Sequence, residues 1–159
     1  MFEITSALNL HSHDDVWNSF PTQKKEAAQR SAQVVRPTVL VVDDLHLIAD
    51  TTALVLNGSG FRAVRAYSGD IALEMAIELK PDYLLTDILM PGMNGIELAI
   101  AVRQHSPETR IVLISGQAGI TDLLRKAKEQ GHEFDLLAKP IHPEKLVEHL
   151  KARKPLIWS

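Results

Sequence analysis

Val39-Leu40-Val41-Val42-Asp43-Asp44 is the stretch that decides the fold. Four apolar residues in a row, mostly β-branched, are too short for a helix and show no polar alternation. Such a run is a strand covered on both faces, as in a parallel sheet. It ends in two adjacent carboxylates. The design recurs downstream. Tyr83-Leu84-Leu85-Thr86 runs into Asp87, Ile111-Val112-Leu113-Ile114 into Ser115-Gly116, and Phe134 to Ala138 into Lys139-Pro140.

Helical stretches separate these runs. Leu45 to about Leu56 is closed by Asn57-Gly58-Ser59-Gly60. Phe61 to Tyr67 is strand-like. Ser68 can cap a helix from Gly69 to Leu79, which Pro81 stops. Pro91-Gly92 and Asn94-Gly95 mark a loop. Ile96 to Gln104 is amphipathic, with its Ile, Leu and Ala at core spacing, and Ser106-Pro107 ends it. Ile120 to Gln130 is helical up to Gly131, and Pro143 opens a last helix to about Arg153. Strict alternation with right-handed crossovers gives an α/β fold with a parallel sheet and helices on both faces.

The composition sets outer bounds. The chain of 159 residues is 45% hydrophobic and 23% charged, enough for one core and against wholesale disorder. Lys and Arg total 17 against 20 for Asp and Glu, a formal charge of −3, which offers no bulk electrostatic reason to bind nucleic acid. The absence of cysteine rules out disulfides, thiolate catalysis and cysteine-held zinc. No apolar run approaches the roughly 20 residues that span a bilayer, and the N-terminus lacks a secretion signal, so a cytoplasmic protein without membrane insertion is expected.

Residues 1–36 read as a flexible extension, 37–153 as the domain and 154–159 as a short tail. Thr22 to Val35 could be helical but has little apolar stripe. His11-Ser12-His13-Asp14-Asp15 reads as mixed polar tail rather than a metal site. Trp17 and Phe20 could anchor the tail on a partner or on the domain itself, and Trp158 reads as packing against the domain rather than as a binding hot spot. Lys24-Lys25 and Arg125-Lys126-Lys128 read as solvated helix faces.

The chemistry-bearing residues fall at the C-terminal ends of strands, which line one edge of an open parallel sheet. Asp43, Asp44 and Asp87 would crowd three carboxylates together, and a hard divalent cation is the natural relief. Lys139 could neutralise a phosphoryl group, and Ser115 could hydrogen-bond one of its oxygens. Taken singly, each has a plainer reading. The aspartates could cap a helix or shape a turn, Ser115 could be a cap, and Lys139 a surface lysine. Together they suit phosphoryl chemistry.

In order, Val41-Val42-Asp43-Asp44, Thr86 to Gly95, Leu113-Ile114-Ser115-Gly116 and Lys139-Pro140 resemble the signature of response regulator receiver domains. The resemblance covers roughly residues 37–153. It implies a flavodoxin-like (βα)5 doubly wound sheet of strand order 2-1-3-4-5. Asp87 would be the phosphoacceptor. Asp43, Asp44, Asp87 and the Leu89 carbonyl would hold Mg²⁺, Lys139 would grip a phosphoryl oxygen, and Ser115 would report its arrival. Leu89 and Gln117 lie where the family tunes the lifetime of the phosphorylated state. The family usually carries an aromatic residue three places before the lysine. Here Leu136 stands there, and Phe134 is set aside as a substitute on strand parity.

The resemblance implies a signalling domain that catalyses only its own phosphorylation and dephosphorylation. Its partners would be a sensor histidine kinase or histidine phosphotransfer protein and a downstream protein, with homodimerisation as another route and no nucleic acid. With so little chain after Arg153, the expectation is a stand-alone receiver. A phosphatase-like hydrolase is disfavoured because Ile88 and Leu89, not a second aspartate, follow Asp87. A pseudo-receiver scaffold that no longer responds to phosphorylation is the alternative.

Overall fold

The computed structural model describes residues 35–116 and 120–152. The readings on residues 1–34, on Gln117, and on the chain beyond Ala152, Arg153 and Trp158 among them, lie outside these. Among the described residues, strands β1 (Thr38–Val42), β2 (Arg62–Ala66), β3 (Tyr83–Asp87), β4 (Arg110–Ser115) and β5 (Asp135–Ala138) alternate with helices. The helices are α1 (His46–Gly58), α2 (Gly69–Leu79), α3 (Gly95–His105), α4 (Thr121–Glu129) and α5 (Pro143–Ala152). All strand pairs are parallel, in the order β2-β1-β3-β4-β5. The expected flavodoxin-like architecture is therefore present.

Period-two alternation divides the central strands between two cores. Leu40, Val42, Leu84 and Leu113 face α2, α3 and α4, meeting Ala72, Ala76, Leu98, Ala99, Val102 and Ala127. Val39, Val41, Tyr83, Leu85 and Val112 face α1 and α5, meeting Ala53, Leu56, Leu146 and Leu150. A continuous apolar run is thus what two buried faces require. Tyr83 carries a polar tip inward, and its hydroxyl donates to the Leu150 carbonyl at 3.0 Å, tying β3 to α5. No helix among the described residues is long and apolar enough to cross a membrane.

Local signals placed the helix ends. Ser68 Oγ accepts the Ile71 N–H, as its capping role requires. Asn94 and Glu97 form a reciprocal capping box at the start of α3. α2 ends at Leu79 as expected, and Lys80 turns left-handed, φ 47°, one residue before Pro81. The β3–α3 connection folds back so tightly that a Cβ on Gly95 would lie 2.0 Å from the Asp87 carbonyl oxygen. Only glycine lets α3 start there, with its N–H donating to the Ile88 carbonyl at 2.9 Å.

Gly95→Ala is expected to lower stability by about 1–3 kcal/mol, since a backbone atom rather than a flexible side chain must give way. Gly58→Ala, in the last turn of α1 with nothing near the added carbon, should be neutral or gain about 0.5–1 kcal/mol. Thermal melts of the two variants test the contrast. Equal melting temperatures would refute the tight approach at Asp87.

Candidate phosphoacceptor and metal site

The parallel sheet brings residues 43, 44, 87, 115 and 139 to one edge because each ends a strand or follows one within two residues. β1 and β3 are paired in register, with Val42 opposite Thr86, so Asp43 and Asp87 are the next residues out on adjacent strands. Asp43, Asp44 and Asp87 each offer a carboxylate oxygen within 4.8 Å of the others. Lys139 enters from the end of β5, its Nζ 3.1 Å from Asp43 Oδ2 and 3.5 Å from Asp87 Oδ1. Its side chain is 30% exposed, against 6% for Asp43 and 14% for Asp87. It is therefore no ordinary surface lysine.

Backbone donors share the load. Asp43 Oδ1 accepts the Leu45 N–H at 2.9 Å, just ahead of α1, while its other oxygen meets Lys139. Asp43 thus shapes the turn ahead of α1 with one oxygen and serves the site with the other, while α1 itself has no side-chain cap. Asp87 Oδ1 accepts the Ile88 N–H at 3.0 Å, and the Thr86 hydroxyl donates to the Asp87 carbonyl at 2.9 Å. Burial nevertheless raises the Asp87 carboxyl above its ordinary 3.8. Lys139 pulls it down, Asp43 pushes it up, and the Ile88 and Lys139 hydrogen bonds pull it down again. Three carboxylates facing one lysine leave the pocket with excess negative charge. A hard divalent cation fits that donor set.

Ser115 is buried at the end of β4, and its carbonyl accepts the Lys139 N–H at 2.7 Å. Leu89 lies two residues past Asp87, its side chain 43% exposed. Leu136, on β5, pairs with Leu113 of β4 and is 45% exposed. The parity reason for setting Phe134 aside does not hold, because residues two apart share a face. What separates them is that Phe134 precedes β5. Its ring packs against the α3 side of the core, with the Arg103 guanidinium 4.4 Å above it. On α4, Arg125 bridges Asp122 and Glu129, as a solvated helix face would.

Sequence reasoning missed two contributors: the Ile88 amide, invisible because every residue carries one, and Gly95, read only as loop punctuation. The Asn94-Gly95 pair was the available signal for the latter.

Residues 39–151 match the family model of the response regulator receiver domain. The chain is 35% identical over 119 residues to the DNA-binding response regulator MtrA of Mycobacterium tuberculosis (strain ATCC 25618 / H37Rv), covering 75% of this chain and 51% of that protein. It therefore spans about half the length of this relative. The autoinducer 1 sensor kinase/phosphatase LuxN of Vibrio harveyi is 36% identical over 87 residues, 55% of this chain and 10% of its own. Among solved structures, the chemotaxis protein CheY4 of Vibrio cholerae superposes with a TM-score of 0.66 at 29% identity, covering 74% of this chain and 98% of that one.

These relatives correct one expectation. The exclusion of nucleic acid on the charge of −3 is unsupported, because the relative MtrA is a DNA-binding response regulator and the matched stretch is only about half of it. Bulk charge describes the residues counted, and a DNA-reading surface is a local property. The two cores, the strand-end carboxylates and these likenesses agree: the chain belongs to the response regulator receiver domain family, signalling domains of two-component systems rather than enzymes in the usual sense.

Proposed function

We propose that this domain takes a phosphoryl group onto an Asp87 carboxylate oxygen from a phosphohistidine of a histidine kinase or phosphotransfer protein. The observation that carries the reading is the closed set of three carboxylates within 4.8 Å, faced by Lys139. Asp43, Asp44, Asp87 and the Leu89 carbonyl would hold Mg²⁺, which when bound supplies positive charge against the carboxylates and the phosphoryl oxygens.

The chain's own residues do the rest. Asp87 attacks phosphorus, the phosphorus–nitrogen bond to the donor imidazole breaks, and the nitrogen takes up a proton. The product is an aspartyl phosphate. Lys139 neutralises charge on the transferring group, and Ser115 offers a hydroxyl to a phosphoryl oxygen. Attack by water on phosphorus then restores Asp87 and releases inorganic phosphate. The signal leaves by phosphorylation-dependent protein binding or relay, since the added charge biases the surface around Ser115 and β5.

Intact-mass measurement after incubation with acetyl phosphate or phosphoramidate tests this. A single Mg²⁺-dependent phosphoryl adduct is expected on the wild type and none on Asp87→Asn. Lys139→Ala should label at least ~10-fold more slowly, as loss of a charge-stabilising group does. Full labelling of Asp87→Asn would overturn the assignment, and no adduct on the wild type would favour the pseudo-receiver.

The raised Asp87 carboxyl has a consequence for stability. Between its unfolded and folded values the native state binds more protons than the unfolded chain, so stability falls as pH rises through that window. Above the window the full cost of the buried charge persists. In a chelating buffer, Asp87→Asn should therefore melt higher than wild type at neutral pH. The gap should close as pH drops below the ordinary carboxylate value of 3.8. Coincident melting at neutral pH would contradict it.

A further inference from the structure

β2 is the edge strand of the described sheet, and its outer rim is backbone that no other described strand covers. Such rims template pairing with other chains unless something blocks them. The Arg62 N–H bonds to the Pro37 carbonyl and the Ala66 carbonyl takes the Asp43 N–H, so residues 62, 64 and 66 turn their peptide groups toward β1. Ala63 and Arg65, in between, turn theirs outward.

At Ala63 the outward groups are occupied. Asn57, in the last turn of α1, accepts the Ala63 N–H on Oδ1 at 2.9 Å and donates Nδ2 to the Ala63 carbonyl at 3.2 Å. A carboxamide carries the same donor and acceptor as a peptide group. Asn57 thus reproduces the pair of bonds that an added strand would make.

A second grip lies two helical turns earlier on α1. Asp50 Oδ1 accepts the Tyr67 hydroxyl at 2.7 Å and pairs with Arg65 Nε at 2.6 Å, while Arg65 Nε also meets the Tyr67 oxygen at 2.9 Å. The Tyr67 ring stacks on His46 at 3.8 Å. This network holds the far end of β2 against α1 and offsets the Arg65 charge, while Arg62 at the near end of β2 stays exposed. Neither arginine side chain occupies the outward peptide groups of Ala63, and the Asn57 carboxamide is what closes them.

We propose that Asn57 is a built-in edge guard, a side-chain strand mimic that keeps the β2 rim from pairing with the β2 rim of a second copy of this chain. A second copy is the fitting occupant because identical rims meet about a two-fold axis and satisfy each other's outward peptides. The device is independent of the chemistry at Asp87.

Sedimentation velocity of the full chain over a concentration series tests it, comparing wild type, Asn57→Ala, and Asn57→Ala combined with Ala63→Pro. Asn57→Ala should self-associate at a concentration at least ~10-fold lower than wild type. Ala63→Pro removes the N–H a neighbouring strand needs and should restore wild-type behaviour. An unchanged concentration dependence in Asn57→Ala, or association that survives Ala63→Pro, overturns the proposal. Amide exchange on the wild type tests it without any variant. The Ala63 N–H should be protected at least ~10-fold beyond a solvent-exposed amide, and free exchange there would refute the guard.

Discussion

Like charge crowded at one sheet edge is the constraint on which the rest of this domain depends. Asp43, Asp44 and Asp87 lie close enough to repel strongly, and two of them are largely withdrawn from water. Such an arrangement persists only where the scaffold over-determines it. Parallel pairing of β1 with β3 forces Asp43 and Asp87 out side by side. The two apolar layers on either face hold those strands in that register, because a one-residue slip would turn each layer onto the wrong helices.

Relief comes from several small sources. Lys139 reaches both Asp43 and Asp87 from the far end of β5, and amides of Leu45 and Ile88 each donate to a carboxylate oxygen. Together they do not cancel the charge, and Asp87 remains harder to ionise than a free carboxyl. That residual imbalance is what makes the pocket receptive to a divalent cation and to a phosphoryl group brought with it. Gly95 makes the same point sterically. The loop after Asp87 turns back so closely that backbone meets backbone, and the nucleophile's position depends on a missing side chain.

Much of this was legible in the residues. The strands could be read because burial on both faces demands uninterrupted Val, Leu and Ile. The helix start at Gly69 could be read because Ser68 is a local cap, and the one near Ile96 because Asn94-Gly95 punctuates the chain there. What failed had no local signature. Phe134 was weighed as a strand residue, yet it lies before β5 and is held by Arg103 of α3, a residue 31 positions away. Net charge was asked a question about DNA that only a local surface, or a longer relative, can answer.

Sequence alone determined the alternation of elements, the identity of the residues at each strand end, and the chemistry they could share, because these follow from hydrophobic period, turn residues and side-chain type. Tertiary structure decided which of them meet. Distances of 3.1 and 3.5 Å from Lys139 to the two aspartates, the division of labour between the oxygens of Asp43, and the grip of Asn57 on the sheet edge all join residues through space. The physical reason is that repulsion, desolvation and hydrogen bonding act over a few ångströms, and only the packed sheet sets separations on that scale.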